Sequence, residues 1–163
     1  DGGLAGWRNA GFEISAGDPV PAIPGNFVAA ENPDAVVNFD EVYASLSDES
    51  RTLIDARESP RFLGLQEPID PVAGHIPGAL NLPASETTDA AGYWLPAQAQ
   101  RARWANVPTH KDVVLYCGSG VTACSNAVSL ALAGLPEAKL YPGSWSDWCR
   151  RPNAPVATDS TAI

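Results

Sequence analysis

A cysteine near the middle of the chain lies between a short apolar segment and a helical pattern. Residues 113–116 have the length and β-branched content of a buried strand, and Cys117 follows directly. Residues 118–120 read Gly-Ser-Gly, and a helix is predicted after them that ends at Gly134. Because N–H groups at a helix start carry partial positive charge, and glycines let several of them converge, this position favours a thiolate. A thiolate is the nucleophilic form of cysteine, so the sequence predicts a reactive Cys117 rather than a structural one.

The helix predicted after the cysteine carries apolar residues at helical spacing. Val121, Cys124, Val128 and Ala131 recur on one face. We therefore predict that this face packs on the core and that Cys124 is buried and inert. Cys149 lies near the C-terminus, and its role stays open.

Composition and charge favour a single globular domain over a nucleic-acid-binding or membrane-spanning protein. The chain has 163 residues, enough for one domain with a stable core, and a net charge of −9 that argues against a nucleic-acid surface. No apolar run approaches the roughly 20 residues that a membrane span needs. Three cysteines without regular spacing indicate free thiols in a reducing compartment, so we expect a cytoplasmic protein. The chain begins at Asp1 and contains no Met, which we interpret as a piece of a longer polypeptide.

Three stretches of the sequence resemble the rhodanese-type sulfurtransferases. Residues 117–123, Cys-Gly-Ser-Gly-Val-Thr-Ala, are similar to the active-site loop of the mercaptopyruvate branch of that family. Residues 53–62, with residues 73–79, and residues 140–148 follow the family's other motifs in order and spacing. The resemblance is to the second, catalytic domain of two-domain members. It implies an α/β fold in three layers, α/β/α, with a central parallel sheet.

Residues 27–151 are predicted to form this domain, and the segments around it have other characters. Gly2 and Trp7 match Gly143 and Trp148 at the same separation, which indicates a duplicated unit. We interpret residues 1–11 as the tail of a preceding rhodanese domain and residues 12–26, rich in Pro and Gly, as an interdomain linker. Residues 152–163 are predicted to be a loose C-terminal tail.

Strand and helix patterns alternate along the predicted domain. Such alternation predicts a parallel sheet with helices on both faces and a site at the carboxyl ends of the strands, where Arg57, Cys117 and Trp145 fall. The predicted strands are residues 27–30, 52–56, 79–82, 113–116 and 138–141. The first predicted helix begins at Asn38 or Asp40 and reaches Leu46, with Val42, Tyr43 and Leu46 facing inward. A second covers residues 96–107 and has Arg101 and Arg103 on its solvent side. A third covers residues 144–150.

The family resemblance implies that Cys117 and Ser119 are catalytic and that the neighbouring loop residues bind the donor. Cys117 would take a sulfur atom from a donor as a persulfide and pass it to an acceptor thiol or cyanide. Ser119 stands where the thiosulfate-preferring branch has a lysine, so a charge that favours a dianion is missing and the resemblance implies 3-mercaptopyruvate as donor. The N–H groups of the loop would hold the negative charge of the persulfide, and the loop residues concerned are Gly118, Gly120, Val121 and Thr122.

Two arginines are candidates for binding the anionic donor. Arg61 matches the position that binds substrate in the family, and a guanidinium can hold a carboxylate with two hydrogen bonds. The alternative for Arg61 is an ion pair with Glu58 or Glu67. For Arg57, the sequence favours equally a contact with substrate and a structural salt bridge with Asp55.

The sequence also suggests positions or roles for two tryptophans, one histidine and one aspartate near these motifs. Trp145 is predicted to line the pocket, and to be exposed in an open cleft, whereas Trp148 packs in the core. His75 is interpreted as a residue that fixes a turn rather than as an acid or base. Animal members of the family have a second substrate arginine nine residues after the first, and this chain has Asp70 at that position.

Other functions remain to be weighed against sulfur transfer from mercaptopyruvate. Cysteine phosphatases need an arginine six residues after the cysteine, and this chain has Ala123 there, so phosphatase activity is not expected. Thiosulfate:cyanide transfer and a non-catalytic rhodanese-like binding module stay as alternatives. The expected partners are a small anionic sulfur donor, a small-molecule or protein thiol acceptor such as a thioredoxin-like protein, and an upstream rhodanese domain, without nucleic acid or membrane. No cofactor or metal is expected, since no His/Cys cluster has ligand spacing.

Overall fold

The computed structural model of the chain describes residues 1–18, 23–48 and 50–158, and its centre is one parallel sheet. The four strands are β1 (Arg51–Asp55), β2 (Leu80–Asn81), β3 (Asp112–Tyr116) and β4 (Lys139–Leu140), in the order β2-β1-β3-β4. Ile54 of β1 lies opposite Leu80 on one side and Leu115 on the other, and Leu115 lies opposite Leu140. The carboxyl ends of β1 and β3 therefore lie side by side.

The described residues form six α-helices: α1 (Gly3–Asn9), α2 (Phe39–Asp48), α3 (Ser59–Phe62), α4 (Ala97–Arg103), α5 (Ala123–Ala133) and α6 (Ser144–Trp148). Side chains of β3 alternate between two buried clusters, as the period of a strand requires. Val114 and Tyr116 belong to a cluster with Val42 and Trp148, from the α2 and α6 side. Residues 113 and 115 belong to a second cluster that holds Leu130 of α5. Helices thus cover both faces, which confirms the three-layer α/β/α fold.

The helix predicted to begin near Asn38 is confirmed. Asn38 Oδ1 accepts a hydrogen bond from the N–H of Glu41 (3.0 Å), and the Glu41 carboxylate accepts one from the N–H of Asn38 (2.9 Å), which is a capping box. Val42 is buried as predicted. Tyr43 was predicted inward and is instead 46% exposed, because it follows Val42 by 100° around the helix.

The strand predicted over residues 27–30 does not form. Phe27 and Val28 are 89% and 85% exposed and have no strand partner within the described residues. The chain reaches the sheet later, where Val36 makes a parallel bridge with Leu140 and the N–H of Val37 donates to the Leu140 carbonyl (2.8 Å). The outer edge of β4 is therefore occupied by residues 36–37, and β-branched content alone did not reveal this.

The inward face of α5 was predicted wrongly. Val121 is 72% exposed, and Cys124, Val128 and Ala131 are exposed as well. The buried residues of α5 are Ala123, Asn126, Ser129, Leu130 and Ala133.

Polar groups on α4 explain this orientation of α5. Ser129 Oγ donates to Gln100 Oε1 (2.6 Å) and accepts from Trp104 Nε1 (2.9 Å). Arg103 donates to Ser129 (3.0 Å) and to the Pro83 carbonyl (3.0 Å), so its predicted place on the solvent side of α4 is also wrong. Hydrogen bonds link Gln100, Arg103 and Trp104 to Ser129, and apolar periodicity could not indicate them.

The C-terminal segment is integrated into the fold as far as residue 158. Ala157 and His75 exchange two backbone hydrogen bonds (2.8 and 3.0 Å), and Trp148 Nε1 donates to the Pro155 carbonyl (2.9 Å). The prediction of a loose tail is thus wrong for residues 152–158, and residues 159–163 lie outside the described residues. Residues 19–22 of the predicted linker also lie outside them. None of the helices in the described ranges has the length and apolar character needed to cross a membrane.

Candidate active site

Cys117 lies at the carboxyl end of β3, and the loop that follows it makes a sharp turn into α5. The cysteine is 1% exposed, whereas Ser119, Val121 and Thr122 on the outer side of the loop are exposed. Gly120 has a φ of +81°, and a Cβ there would lie 2.7 Å from the Pro142 carbonyl oxygen. Only glycine fits this position, so the predicted need for a flexible backbone is met at Gly120.

The N–H groups of the loop are available to a ligand. Within the described part of the chain, residues 118–123 donate no backbone hydrogen bond to another protein group. α5 begins at Ala123, and the positive end of its helix dipole adds partial positive charge at the same place. Such a loop can hold a negatively charged sulfur or oxygen atom close to Cys117.

The first turn of α6 fixes the backbone of Cys117. The N–H of Cys117 donates to Ser144 Oγ (3.1 Å), and its carbonyl accepts from the N–H of Trp145 (3.0 Å). The carbonyl of Gly118 accepts from the N–H of Ser146 (2.9 Å). Sequence reasoning missed Ser144, although it lies within the motif of residues 140–148 that directed attention to Trp145.

Arg61 reaches the loop and is also ion-paired. Its Nε and Nη2 donate to the two carboxylate oxygens of Glu67 (3.2 and 2.6 Å). Its Nη1 faces the loop, since a Cβ on Gly118 would lie 3.5 Å from that nitrogen. Both interpretations of Arg61 thus have support: Glu67 holds one edge of the guanidinium, and the remaining nitrogen lies beside the candidate nucleophile.

Glu67 is the buried anion that organises this edge of the site. Its side chain is 4% exposed and also pairs with Arg57 (3.2 Å). Burial disfavours the carboxylate, but hydrogen bonds from Arg61 and from the N–H groups of Asp70 and Ile69 outweigh it, so the pKa of Glu67 lies below its usual value. The carboxylate therefore stays ionised and keeps Arg61 in place at neutral pH.

Arg57 has no nitrogen left for a substrate. Its side chain is 1% exposed and donates to Asp55 (2.7 Å), to Glu67 and to the Gly74 carbonyl (2.6 Å). Its guanidinium also lies 4.7 Å from the centre of the Trp145 ring. This placement supports the structural salt bridge rather than the substrate contact.

The two tryptophans of α6 are both buried. Trp145 is fully buried, and its Nε1 donates to the Val72 carbonyl (2.9 Å), which corrects the expectation of an exposed side chain in an open cleft. The reason is that Trp145 packs against Arg57 underneath the loop. Trp148 lies in the core, as predicted.

The histidine and the two other cysteines lie away from the nucleophile loop or on its outer side. His75 is buried, stacks on Phe62 with ring centres 3.7 Å apart, and has Nδ1 2.7 Å from the Phe62 carbonyl oxygen, which supports a structural role. Cys124 is exposed, so the prediction of a buried thiol is wrong. Cys149 is half-buried, and burial together with the nearby Asp70 carboxylate raises the pKa of its thiol. Among the described residues, no group of three or more His, Cys, Asp or Glu is arranged to hold a metal ion.

Comparisons with known proteins agree with this architecture. The family model for a rhodanese-like domain matches residues 38–151. A probable 3-mercaptopyruvate sulfurtransferase of Pseudomonas aeruginosa is 42% identical over 161 residues, which cover 97% of this chain and 56% of that protein. A putative thiosulfate sulfurtransferase of Mycobacterium tuberculosis, SseB, is 39% identical over 96% of this chain and 55% of its own length.

A solved structure is also similar over most of the chain. A variant of EanB with a cysteine persulfide, in a tetrahedral intermediate state with ergothioneine, matches with a TM-score of 0.84 and 26% identity over 96% of this chain and 40% of that one. The chain spans about half the length of the curated relatives that it matches.

Proposed function

Because the chain belongs to the rhodanese family, we propose that it is the catalytic part of a sulfurtransferase that takes sulfur from 3-mercaptopyruvate. The observation that carries this proposal is the position of Cys117, at the end of β3 and below a loop whose N–H groups are available. The solved EanB structure contains a cysteine persulfide on a similar fold, which supports a persulfide of Cys117 as the intermediate.

Transfer would proceed in two half-reactions. The Cys117 thiolate attacks the sulfur of 3-mercaptopyruvate, the carbon–sulfur bond breaks, and pyruvate leaves as its enolate and takes up a proton. The new sulfur–sulfur bond makes Cys117 a persulfide, whose negative charge the N–H groups of residues 118–123 stabilise. An acceptor thiolate or cyanide then attacks the outer sulfur, and the Cys117 thiolate leaves. Kinetics of the ping-pong type follow from this order.

The choice of donor rests on charge near the nucleophile. Ser119 is exposed on the outer side of the loop and brings no positive charge, which favours a donor with a single carboxylate over the thiosulfate dianion. Arg61 Nη1 provides the cationic contact for that carboxylate. Thiosulfate stays as the alternative donor, since one relative is named for it.

An upstream rhodanese domain would complete the site in the full-length protein. The curated relatives are about twice as long as this chain. Also, α1 and α6 both begin with a residue at positive φ, Gly3 at 58° and Ser144 at 52°, directly after the matching Gly2 and Gly143. This similarity supports the interpretation of residues 1–11 as the tail of a preceding domain. We also propose a cytoplasmic location, because three free cysteines suit a reducing compartment, and a small-molecule or protein thiol as acceptor.

Mass spectrometry after incubation with each donor tests the proposal. We expect an added mass of about 32 Da on Cys117, from 3-mercaptopyruvate far more readily than from thiosulfate. Cys117→Ser should abolish the adduct, and Cys124→Ser is the matched control that should keep it. If neither donor gives an adduct, the protein is better described as a non-catalytic binding module. The burial of Cys117 is compatible with that alternative.

A further inference from the structure

Two arginines from distant parts of the chain share one buried carboxylate next to the nucleophile loop. Asp70 has a side chain that is 1% exposed. Its Oδ1 accepts a hydrogen bond from Arg150 Nη1 (2.8 Å), and its Oδ2 lies 3.5 Å from Arg61 Nη2. A single carboxylate therefore contacts both guanidinium groups, and Glu67 holds Arg61 in addition, at 2.6 Å.

Ser146 connects this pair of arginines to the loop. Its Oγ donates to Asp70 Oδ2 (3.0 Å), and its N–H donates to the Gly118 carbonyl (2.9 Å). Its carbonyl accepts a further hydrogen bond from Arg150 Nη1. Ser146 thus links Arg150 to the backbone of Gly118, the residue that follows Cys117. The two hydrogen bonds that Arg150 donates from Nη1 fix the orientation of its guanidinium.

Arg150 keeps donors that a ligand can use. Its side chain is 53% exposed, and no hydrogen bond within the described ranges uses its Nε or Nη2. Arg61 has its Nη1 toward the loop, as described above. Arg57 is different, because each of its three guanidinium nitrogens is hydrogen-bonded inside the protein.

We propose that Arg150 is a second cationic contact for the carboxylate of the sulfur donor, acting together with Arg61 on the other side of Asp70. The inference rests on the proposed function and adds a specificity residue to it. A carboxylate has two oxygens, and two guanidinium groups held by one acid can each donate to one of them. Asp70 stands where animal members of the family have a second arginine, so in this chain the aspartate would bring an arginine from the end of α6 to the site.

Arg151 provides a matched control for Arg150. It has the same charge and nearly the same exposure, 51% against 53%, but it pairs with Asp147 (2.9 Å) and stacks over Phe39. Steady-state transfer from 3-mercaptopyruvate should be measured for the wild type, Arg150→Ala, Arg150→Lys and Arg151→Ala. We expect Arg150→Ala to raise KM by about five- to tenfold and to change kcat less than about twofold, because the donor carboxylate loses a charged hydrogen bond while Arg61 keeps its pairing with Glu67.

The other variants and the salt dependence separate binding from structure. Arg150→Lys should restore part of the KM, and Arg151→Ala should leave KM and kcat within about twofold of wild type. Added salt should raise the wild-type KM more than that of Arg150→Ala, since salt screens an exposed charge. A fall in kcat with unchanged KM in Arg150→Ala would show that the arginine only supports the loop, and equal effects of Arg150→Ala and Arg151→Ala would show a general charge effect. Either result overturns the inference while wild-type transfer still supports the proposed function, whereas a wild type that forms no persulfide overturns both.

Discussion

The N–H of Cys117 donates a hydrogen bond to the hydroxyl of Ser144, 27 residues later in the chain, at 3.1 Å. That hydroxyl donates in turn to the Tyr141 carbonyl (2.9 Å), and Ser144 itself has the unusual φ of 52°. A non-glycine residue held in this conformation indicates that its side chain is needed where it lies. The hydroxyl satisfies the buried N–H of the proposed nucleophile and fixes the direction in which the loop leaves β3.

Substitution of Ser144 separates this hydrogen bond from the backbone strain. We expect Ser144→Ala to lower the free energy of unfolding by about 1–3 kcal/mol, because a buried N–H loses its acceptor. Ser144→Gly loses the same hydrogen bond but relieves the positive φ, so it should be more stable than Ser144→Ala by up to about 1 kcal/mol. Urea unfolding measures both. Equal stability of the wild type and Ser144→Ala would contradict the role given to the hydroxyl.

The close approach of Gly120 to Pro142 predicts a different result for two glycines of the same loop. Gly120→Ala should destabilise the protein by several kcal/mol, since a Cβ would lie 2.7 Å from a backbone oxygen at a positive φ. Gly118→Ala should leave the melting temperature nearly unchanged, because its Cβ would meet only the flexible end of Arg61 at 3.5 Å. Gly78 has a φ of +77° with no atom within 4 Å, so Gly78→Ala gives the cost of strain alone. Thermal unfolding gives the melting temperature of each variant. If Gly120→Ala and Gly78→Ala lowered it by the same amount, there would be no clash at Gly120.

The acid dependence of stability should report the ion pair between Glu67 and its arginines. The pKa of Glu67 is lowered in the folded state, so its contribution is present above the unfolded pKa and is lost as pH falls through the folded one. We expect Glu67→Gln to cost roughly 3 kcal/mol at pH 7, because Arg57 and Arg61 each lose one of the two carboxylates that pair with them, and the difference from wild type should shrink below about pH 4. Glu86 is 61% exposed and 4.0 Å from Arg103, so Glu86→Gln should cost less than about 1 kcal/mol. A difference for Glu67→Gln that did not change with pH would contradict the argument.

Thiol labelling tests the corrected position of Cys124. The exposed Cys124 should react with iodoacetamide before Cys149, whose pKa is raised by burial and by Asp70. In a Cys117→Ser background, Cys124→Ser should remove the fast phase and change stability by less than about 0.5 kcal/mol, as expected for a surface position. Peptide mapping of the labelled protein identifies each cysteine. A slow Cys124 would show that the outer face of α5 is covered.

The sequence predicted the centre of the fold better than its surroundings. Strand β3, the glycine loop and the end of α5 follow from local patterns, because residues 113–116 form a buried apolar run and Gly134 takes the left-handed conformation that ends a helix. The orientation of α5 could not be predicted in this way. Asn126 and Ser129 face inward because α4 and the segment before it supply their hydrogen-bond partners, and such pairing is a tertiary property.

The candidate site was predicted in its residues but not in its contacts. The local pattern identified Cys117 and the family resemblance identified Arg61, and both left open whether Arg61 binds substrate or an internal acid. The structure shows that Glu67 holds the Nε edge of Arg61 and leaves Nη1 toward Gly118. Asp70 looked like the loss of a binding residue, and its partner Arg150 lies 80 residues away in the sequence, beyond the reach of any local pattern.

The segment after residue 151 should contribute to stability although it lies beyond the family match. A chain ending at residue 151 loses the two backbone hydrogen bonds between Ala157 and His75 and the one from Trp148 to Pro155, so we expect it to be less stable by about 2–4 kcal/mol. Gly74 gives a further check: its Cβ would lie 2.5 Å from the Ala157 oxygen, so Gly74→Ala should cost much more in the longer chain than in the truncated one, where only the strain of its φ of +119° remains. Urea unfolding should be measured for both chain lengths, each with and without Gly74→Ala, which makes a double-mutant cycle. Additive effects of truncation and Gly74→Ala would show that the segment does not pack against Gly74 in solution.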